Sequence, residues 1–183
     1  MANNWLHRFF LGSGTQAQQV IQTRADAGDA EAQFSLGLKY STDAEGEGQD
    51  YPQAARYYHL AAEQNHALAQ FNLAVMYLEG QGVEQDAAAA ETWMKRAAQQ
   101  GDAGAQFNLG MTHCRASFDR KPVNAAESRI EAYKWFQLAA AQGYKGSAAA
   151  CEQVNLRMSR EDVAEGNHRA ALIRAATLPA VTV

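Results

Sequence analysis

Apolar residues along this chain return at i, i+3, i+4 and i+7 over stretches of roughly 12 residues, the period of a helix buried on one face rather than of a strand. Two such stretches recur in step. The first, Ala32-Gln33-Phe34-Ser35-Leu36-Gly37, returns as Ala69-Gln70-Phe71-Asn72-Leu73-Ala74 and as Ala105-Gln106-Phe107-Asn108-Leu109-Gly110, at offsets of 37 and 36 residues. The second, Ala54, Tyr57, Tyr58, Ala61 and Ala62, matches Ala90, Trp93, Met94, Ala97 and Ala98, then Ala132, Trp135, Phe136, Ala139 and Ala140, at offsets of 36 and 42. The pattern predicts a helix A and a helix B in every unit, with about six additional residues inside the third.

Polar punctuation supports these bounds. Each B stretch is followed by Gly28, Asn65, Gly101 or Gly143, the residue types that accept the left-handed conformation at a helix end. Asp50, Asp86 and Ser128 stand where the B helices should begin, and Ser128 with Glu131 reads as a capping box. In the second unit the A–B connection is the glycine turn Tyr77-Leu78-Glu79-Gly80-Gln81-Gly82-Val83; so short a link makes its helices antiparallel neighbours. In the same register Thr15 to Ala27 is a B helix and Ser147 to Met158 an A helix. Ser159 to Asp162 cap a last helix that runs to about Thr177, before Pro179. The chain therefore reads as a single repeat domain over 1–183: an N-terminal cap segment over 1–14, repeats over 15–158 and a capping helix over 159–178.

Ala32, Gly37, Ala54, Ala61 and their equivalents let helix backbones approach, while Tyr40, Tyr57, Trp93 and Trp135 fill the spaces between units. A helix pair this rich in alanine buries too little alone, so stacked neighbours must stabilise it. The pattern A-x-F-x-L-G-x-x-Y, a G-x-G-V turn, Asp, and A-x-x-W-x-x-x-A-A-x-x-G resembles the Sel-one-like repeat, a relative of the tetratricopeptide repeat, over about residues 15 to 158. The second unit is nearest that pattern. The first departs at its turn, Ser41 to Gln49, and the third has His113 where Tyr40 and Tyr77 stand. The resemblance implies a right-handed α/α superhelical solenoid, a bacterial scaffold that binds other proteins.

Charge narrows the partner. With 16 Lys and Arg against 20 Asp and Glu, the net charge of -4 offers no general basic field for phosphates, so nucleic acid is not expected. No apolar run approaches the roughly 18–20 residues of a membrane span. In Met1 to Thr15, His7 and Arg8 interrupt Trp5, Leu6, Phe9, Phe10 and Leu11, which leaves no secretory core; a cytoplasmic protein is expected. Trp5, Leu6, Phe9 and Phe10 form an apolar stripe that caps the array, or else dimerises or touches a membrane. Two cysteines, Cys114 and Cys151, fall in different helical registers and are expected to be free thiols.

No catalytic constellation emerges. His113 and Cys114 are adjacent in the chain and so point apart; a hydrolase using them, or the acidic turn of Asp43, Glu45, Glu47 and Asp50, is the rival reading from another class. A calcium loop begun at Asp43 would need glutamate where Ala54 stands. The five histidines lack metal-ligand spacing, and Gly46-Glu47-Gly48 and Gly80-Gln81-Gly82 join helix to helix without a preceding strand. No cofactor and no metal are expected.

What remains is surface. At 100° per residue, Gln33, Leu36, Gly37 and Tyr40 share one arc of helix A, while Glu31, Ser35, Leu38, Lys39 and Thr42 share the opposite one. The A helices of tetratricopeptide-like arrays line a concave wall. The groove is therefore expected to comprise Ser35, Lys39, Leu68, Asn72, Val75, Met76, Asn108, Met111, Thr112, Arg115 and Arg157, apolar at its centre and basic toward the C-terminus. Packing of Leu68, Val75 and Met76 against a neighbouring unit is an equal alternative. A loop from about Arg115 to Arg129, with Phe118, Arg120, Lys121 and Pro122, is expected to form a basic lip. The function read from this is a non-catalytic adaptor for a peptide or protein; self-association is a further alternative.

Overall fold

The computed structural model describes residues 16–42, 48–118 and 124–177, and among these the regular secondary structure is entirely helical. Helix α1 covers 16–26. It is followed by α2 (Ala30–Ser41), α3 (Tyr51–Glu63), α4 (Ala67–Glu79), α5 (Ala87–Gln99), α6 (Ala103–Ala116), α7 (Ala125–Ala141), α8 (Ser147–Asn155) and α9 (Arg160–Thr177). The predicted alternation of A helices (α2, α4, α6, α8) and B helices (α1, α3, α5, α7) is thus observed. Packing divides the chain into two compact units, with the division between Ala90 and Glu91, inside α5.

Helix ends follow the local chemistry. Asp29, Asp50 and Asp102 accept the backbone N–H of Ala32, Gln53 and Ala105 at 3.0, 3.0 and 2.7 Å, while Asp86 accepts from Ala88 and Ala89. Gly28, Asn65, Gly101 and Gly143 all have positive φ, at 93°, 63°, 99° and 72°. Ser159 and Asp162 cap each other reciprocally at the start of α9.

The third hairpin corrects one expectation. Helix α7 begins at Ala125, capped by Asn124, and Ser128 lies inside it. α7 has 17 residues against 13 in α3 and α5, so much of the inserted sequence lengthens the helix instead of forming a loop to Arg129. Released from the expected box, Glu131 bonds Lys134 at 2.5 Å and Arg169 at 2.8 Å. Arg169 also holds Glu127, and Glu165 at 2.7 Å, tying α9 to α7.

In the first unit, Gln33 near the start of α2 meets Gln64 at the end of α3, and Ser41 at the end of α2 meets the Tyr58 hydroxyl at 2.9 Å, so the two helices are antiparallel. Ala25, Ala32 and Leu36 form a buried cluster with Ile21, Tyr40 and Tyr57 against it. In the second unit, Ala132, Tyr133, Phe136 and Val154 form a buried cluster, with Phe107, Cys114 and Cys151 packed on it. Both cysteines are free. Small residues admit the rings: a Cβ added at Gly37 would sit 2.5 Å from the Tyr58 ring, and one at Gly110 2.5 Å from the Phe136 ring.

Three buried glutamines occupy one repeated position. Gln33, Gln70 and Gln106 each reach back eight residues, to the carbonyls of Ala25, Ala62 and Ala98 at 3.1, 3.0 and 3.0 Å. Gln106 also accepts from Gln142 at 3.0 Å, as Gln33 does from Gln64 at 2.7 Å. Because Ala98 O retains the Gly101 N–H, Gln106→Leu should cost near the low end of the ~1–3 kcal/mol for a broken buried hydrogen bond. Urea denaturation of Gln106→Leu against Gln99→Leu, an exposed position, measures this; equal stabilities would remove the amide's structural role.

Candidate functional site

The A helices present one face to their B partners and leave the other to solvent, which sets where a ligand has room. In the first unit Leu38 and Leu68 are 47% and 49% exposed, although both are apolar. Ser35 is half-buried and its hydroxyl donates to Glu31 O, 2.8 Å away; Lys39 and Val75 are also half-buried. Met76 follows the packing alternative and not the groove. At 3% exposure it belongs to the core, because a helix in an array has neighbours on two sides and its outward arc is narrower than a single-partner wheel suggests.

The two asparagines of the expected groove both lie against groups of the chain itself. Asn72 lies close enough to the hydroxyl of the buried Tyr58 to help hold its pKa down against burial, so its side chain faces a core group. Asn108 donates to Gly104 O at 2.9 Å; the residue matching Tyr58 in that register is Met94, which has no hydroxyl to offer. Both side chains are half-buried.

In the second unit Met111 is 40% exposed, and Thr112 and Arg115 are exposed. Thr112, Arg115, Ala116 and Phe118 line a concavity of about 490 Å³. Phe118 is 57% exposed, and the Arg157 guanidinium lies over its ring, 4.6 Å from the centroid. The structure thus brings Thr112, Arg115 and Phe118 together at one concavity, with Arg157 stacked on Phe118. Arg120, Lys121 and Pro122 of the expected lip lie outside the described residues, as do Trp5, Leu6, Phe9, Phe10 and most of the acidic turn.

His113 and Cys114 are tuned in the opposite sense to a nucleophile and its base. Burial, the largest influence, pushes the His113 imidazole below its ordinary value and the Cys114 thiol above its own, the latter only partly opposed by Arg157. A reactive thiolate needs the reverse. Among the described residues no group of three or more His, Cys, Asp or Glu side chains is placed to hold a metal ion, and no helix is long and apolar enough to cross a membrane.

His113 makes stability pH-dependent. The charges around it are Glu131, Lys134, Lys95 and Glu91. With its folded value lowered from 6.5, the stability it contributes is complete above about pH 6.5 and is lost as pH falls through 6.5 toward the folded value. Glu131 acts further into acid. Burial works to raise it, but hydrogen bonds from Lys134 and Arg169 outweigh burial and leave it below 4.5. The melting temperature should decline from pH 7.5 to 5.5, and His113→Phe should flatten that decline; an unchanged slope would exclude His113 as its source.

Tandem antiparallel helix pairs joined by short turns, with small residues receiving a ring from the partner helix, define an α/α helical-repeat protein. The chain belongs to the Sel1 repeat family, whose model matches residues 30–66, 67–102 and 103–144. It is similar to a Sel1 repeat protein from Oxalobacter formigenes at 32% identity and a TM-score of 0.62, over 74% of this chain and 96% of that one. It is also similar to c5321, a protective antigen of uropathogenic Escherichia coli with an SLR fold, at 21% identity and a TM-score of 0.50. That likeness, which shows the fold alone, covers 92% of this chain and 45% of the other. No curated protein matches. Sel1 repeats form helical solenoids, and proteins built from them are generally non-catalytic scaffolds for protein interaction.

Proposed function

We propose that this chain is a non-catalytic scaffold that holds a peptide or protein on the solvent faces of its A helices. In the first unit the contact residues are Ser35, Lys39, Leu68, Asn72 and Val75. In the second they are Asn108, Met111, Thr112 and Arg115, with Arg157 beside Phe118. The observation that carries this reading is the exposure of Leu38, Leu68 and Met111, between 40% and 49%, one on each of three successive A helices. Single exposed apolar side chains are ordinary, but their recurrence on the same kind of helix is what a repeated docking face requires.

Photo-crosslinking tests this. With p-benzoylphenylalanine in place of Leu68 or Met111, irradiation of cells should yield a shared protein adduct. The same group in place of Leu60, 41% exposed on the B helix α3, should not. Identical adducts from all three positions would overturn the assignment to A-helix faces.

A further inference from the structure

We propose that the concavity at the end of α6 takes an acidic peptide segment, its carboxylates meeting the guanidinium groups of Arg115 and Arg157 and a neighbouring apolar side chain resting on Phe118 and Met111. This rests on the scaffold reading and adds the chemistry of the partner.

Three observations converge on it. The first is charge without a partner. Arg24, Lys95, Lys134 and Arg169 all form ion pairs with carboxylates of the chain. Arg115 and Arg157 form none among the described residues; Arg56, Arg160 and Arg174 form none either, and what sets Arg115 and Arg157 apart is that both adjoin the exposed Phe118 ring. Arg115 also complements the carbonyl end of α6, but that role requires neither an exposed ring nor a second arginine.

The second is orientation. A guanidinium laid over an aromatic face loses rotational freedom while its edge N–H groups stay available, the arrangement that matches a carboxylate fork. Arg157 lies 4.6 Å from the Phe118 centroid, and both residues are solvent-exposed. The third is the mixed floor. The concavity of about 490 Å³ adjoins an aromatic ring 57% exposed, and Met111, one turn before Arg115 on α6, is 40% exposed. An anion alone would leave those surfaces in water. A peptide with an acidic residue beside an apolar one covers both. A polyphosphate chain has no apolar group to cover Phe118 and Met111, so it fits less well.

The test is selection of a random twelve-residue peptide display library on the full chain, in parallel with Arg115→Gln/Arg157→Gln. Fluorescence polarisation then follows on the peptides recovered. Peptides selected by the wild type should be enriched at least about threefold in Asp and Glu over the starting library. They should bind the double variant at least about tenfold more weakly, and weaken between 50 and 300 mM NaCl. Circular dichroism establishes that the variant is folded, which exposed positions permit. No enrichment of acidic residues, or equal affinity for both proteins, would overturn the proposal. So would tighter binding of a single-stranded RNA oligonucleotide than of any acidic peptide. If neutral peptides are selected instead and are lost with Leu68→Asp or Met111→Asp, the scaffold reading stands while this one fails.

Discussion

Gly82→Ala should be among the most destabilising single-methyl additions available in this chain, costing on the order of 3 kcal/mol. Two effects add at this residue. Its φ is 69°, a conformation in which an L side chain crowds its own carbonyl at about 1–2 kcal/mol. Its Cβ would also lie 2.2 Å from Tyr51 O and 2.6 Å from Pro52 N, which are backbone atoms at the start of α3 that no rotamer change can move aside. Gly80 supplies the control within the same turn. It has the same φ of 69°, but its nearest contact would be 3.5 Å away, so Gly80→Ala should show the backbone contribution alone. The difference between the two variants in urea denaturation isolates the clash. Equal losses would mean that the turn does not bear on α3.

Gly110→Ala is expected to cost about 1–3 kcal/mol by a different route, since its backbone is ordinary helix and the obstacle is the face of the Phe136 ring at 2.5 Å. Phe136 is wholly buried between its neighbours, so the ring cannot swing out to solvent. Phe136→Leu alone should destabilise by leaving space, whereas with Gly110→Ala the added methyl occupies part of it. The double variant should therefore be more stable than the two single losses predict by at least about 0.5 kcal/mol. Additive losses would show that Gly110 does not receive the ring. Gly37 and Tyr58 repeat the arrangement in the first unit, with the same 2.5 Å approach, so the cycle can be repeated there.

Much of this fold is legible in the sequence because its determinants are local. The helix period, the aspartate caps and the residues at positive φ act within a few positions of the chain, and Asp50, Asp86, Asn65 and Gly143 all do what their types predict. The start of α7 was not legible at Ser128. Asn124, four residues earlier, satisfies the same N-cap chemistry, and only the structure decides which residue begins the helix. The candidate face was legible in part. A helical wheel has an inside and an outside, but it does not register how many neighbours a helix has. Met76 falls on the second buried flank for that reason, and Asn72 faces a hydroxyl supplied by the preceding repeat. Phe118 and Arg157 are 39 positions apart and belong to different helical pairs, so their stacking has no signature in any local pattern.

The buried glutamines bear on how such a chain is assembled over generations. Gln33 and its partner Gln64 lie within one repeat, as do Gln106 and Gln142, whereas the acceptors are main-chain oxygens outside it, Ala62 and Ala98 in the preceding repeat and Ala25 in the helix before the first. Every side-chain instruction for the joint is therefore carried inside the segment that would be copied. The adjoining segment contributes only a peptide carbonyl, which any amino acid provides. A duplicated, deleted or transplanted repeat thus arrives already compatible at this polar contact, and lineages can lengthen or shorten the array without a matching change next door.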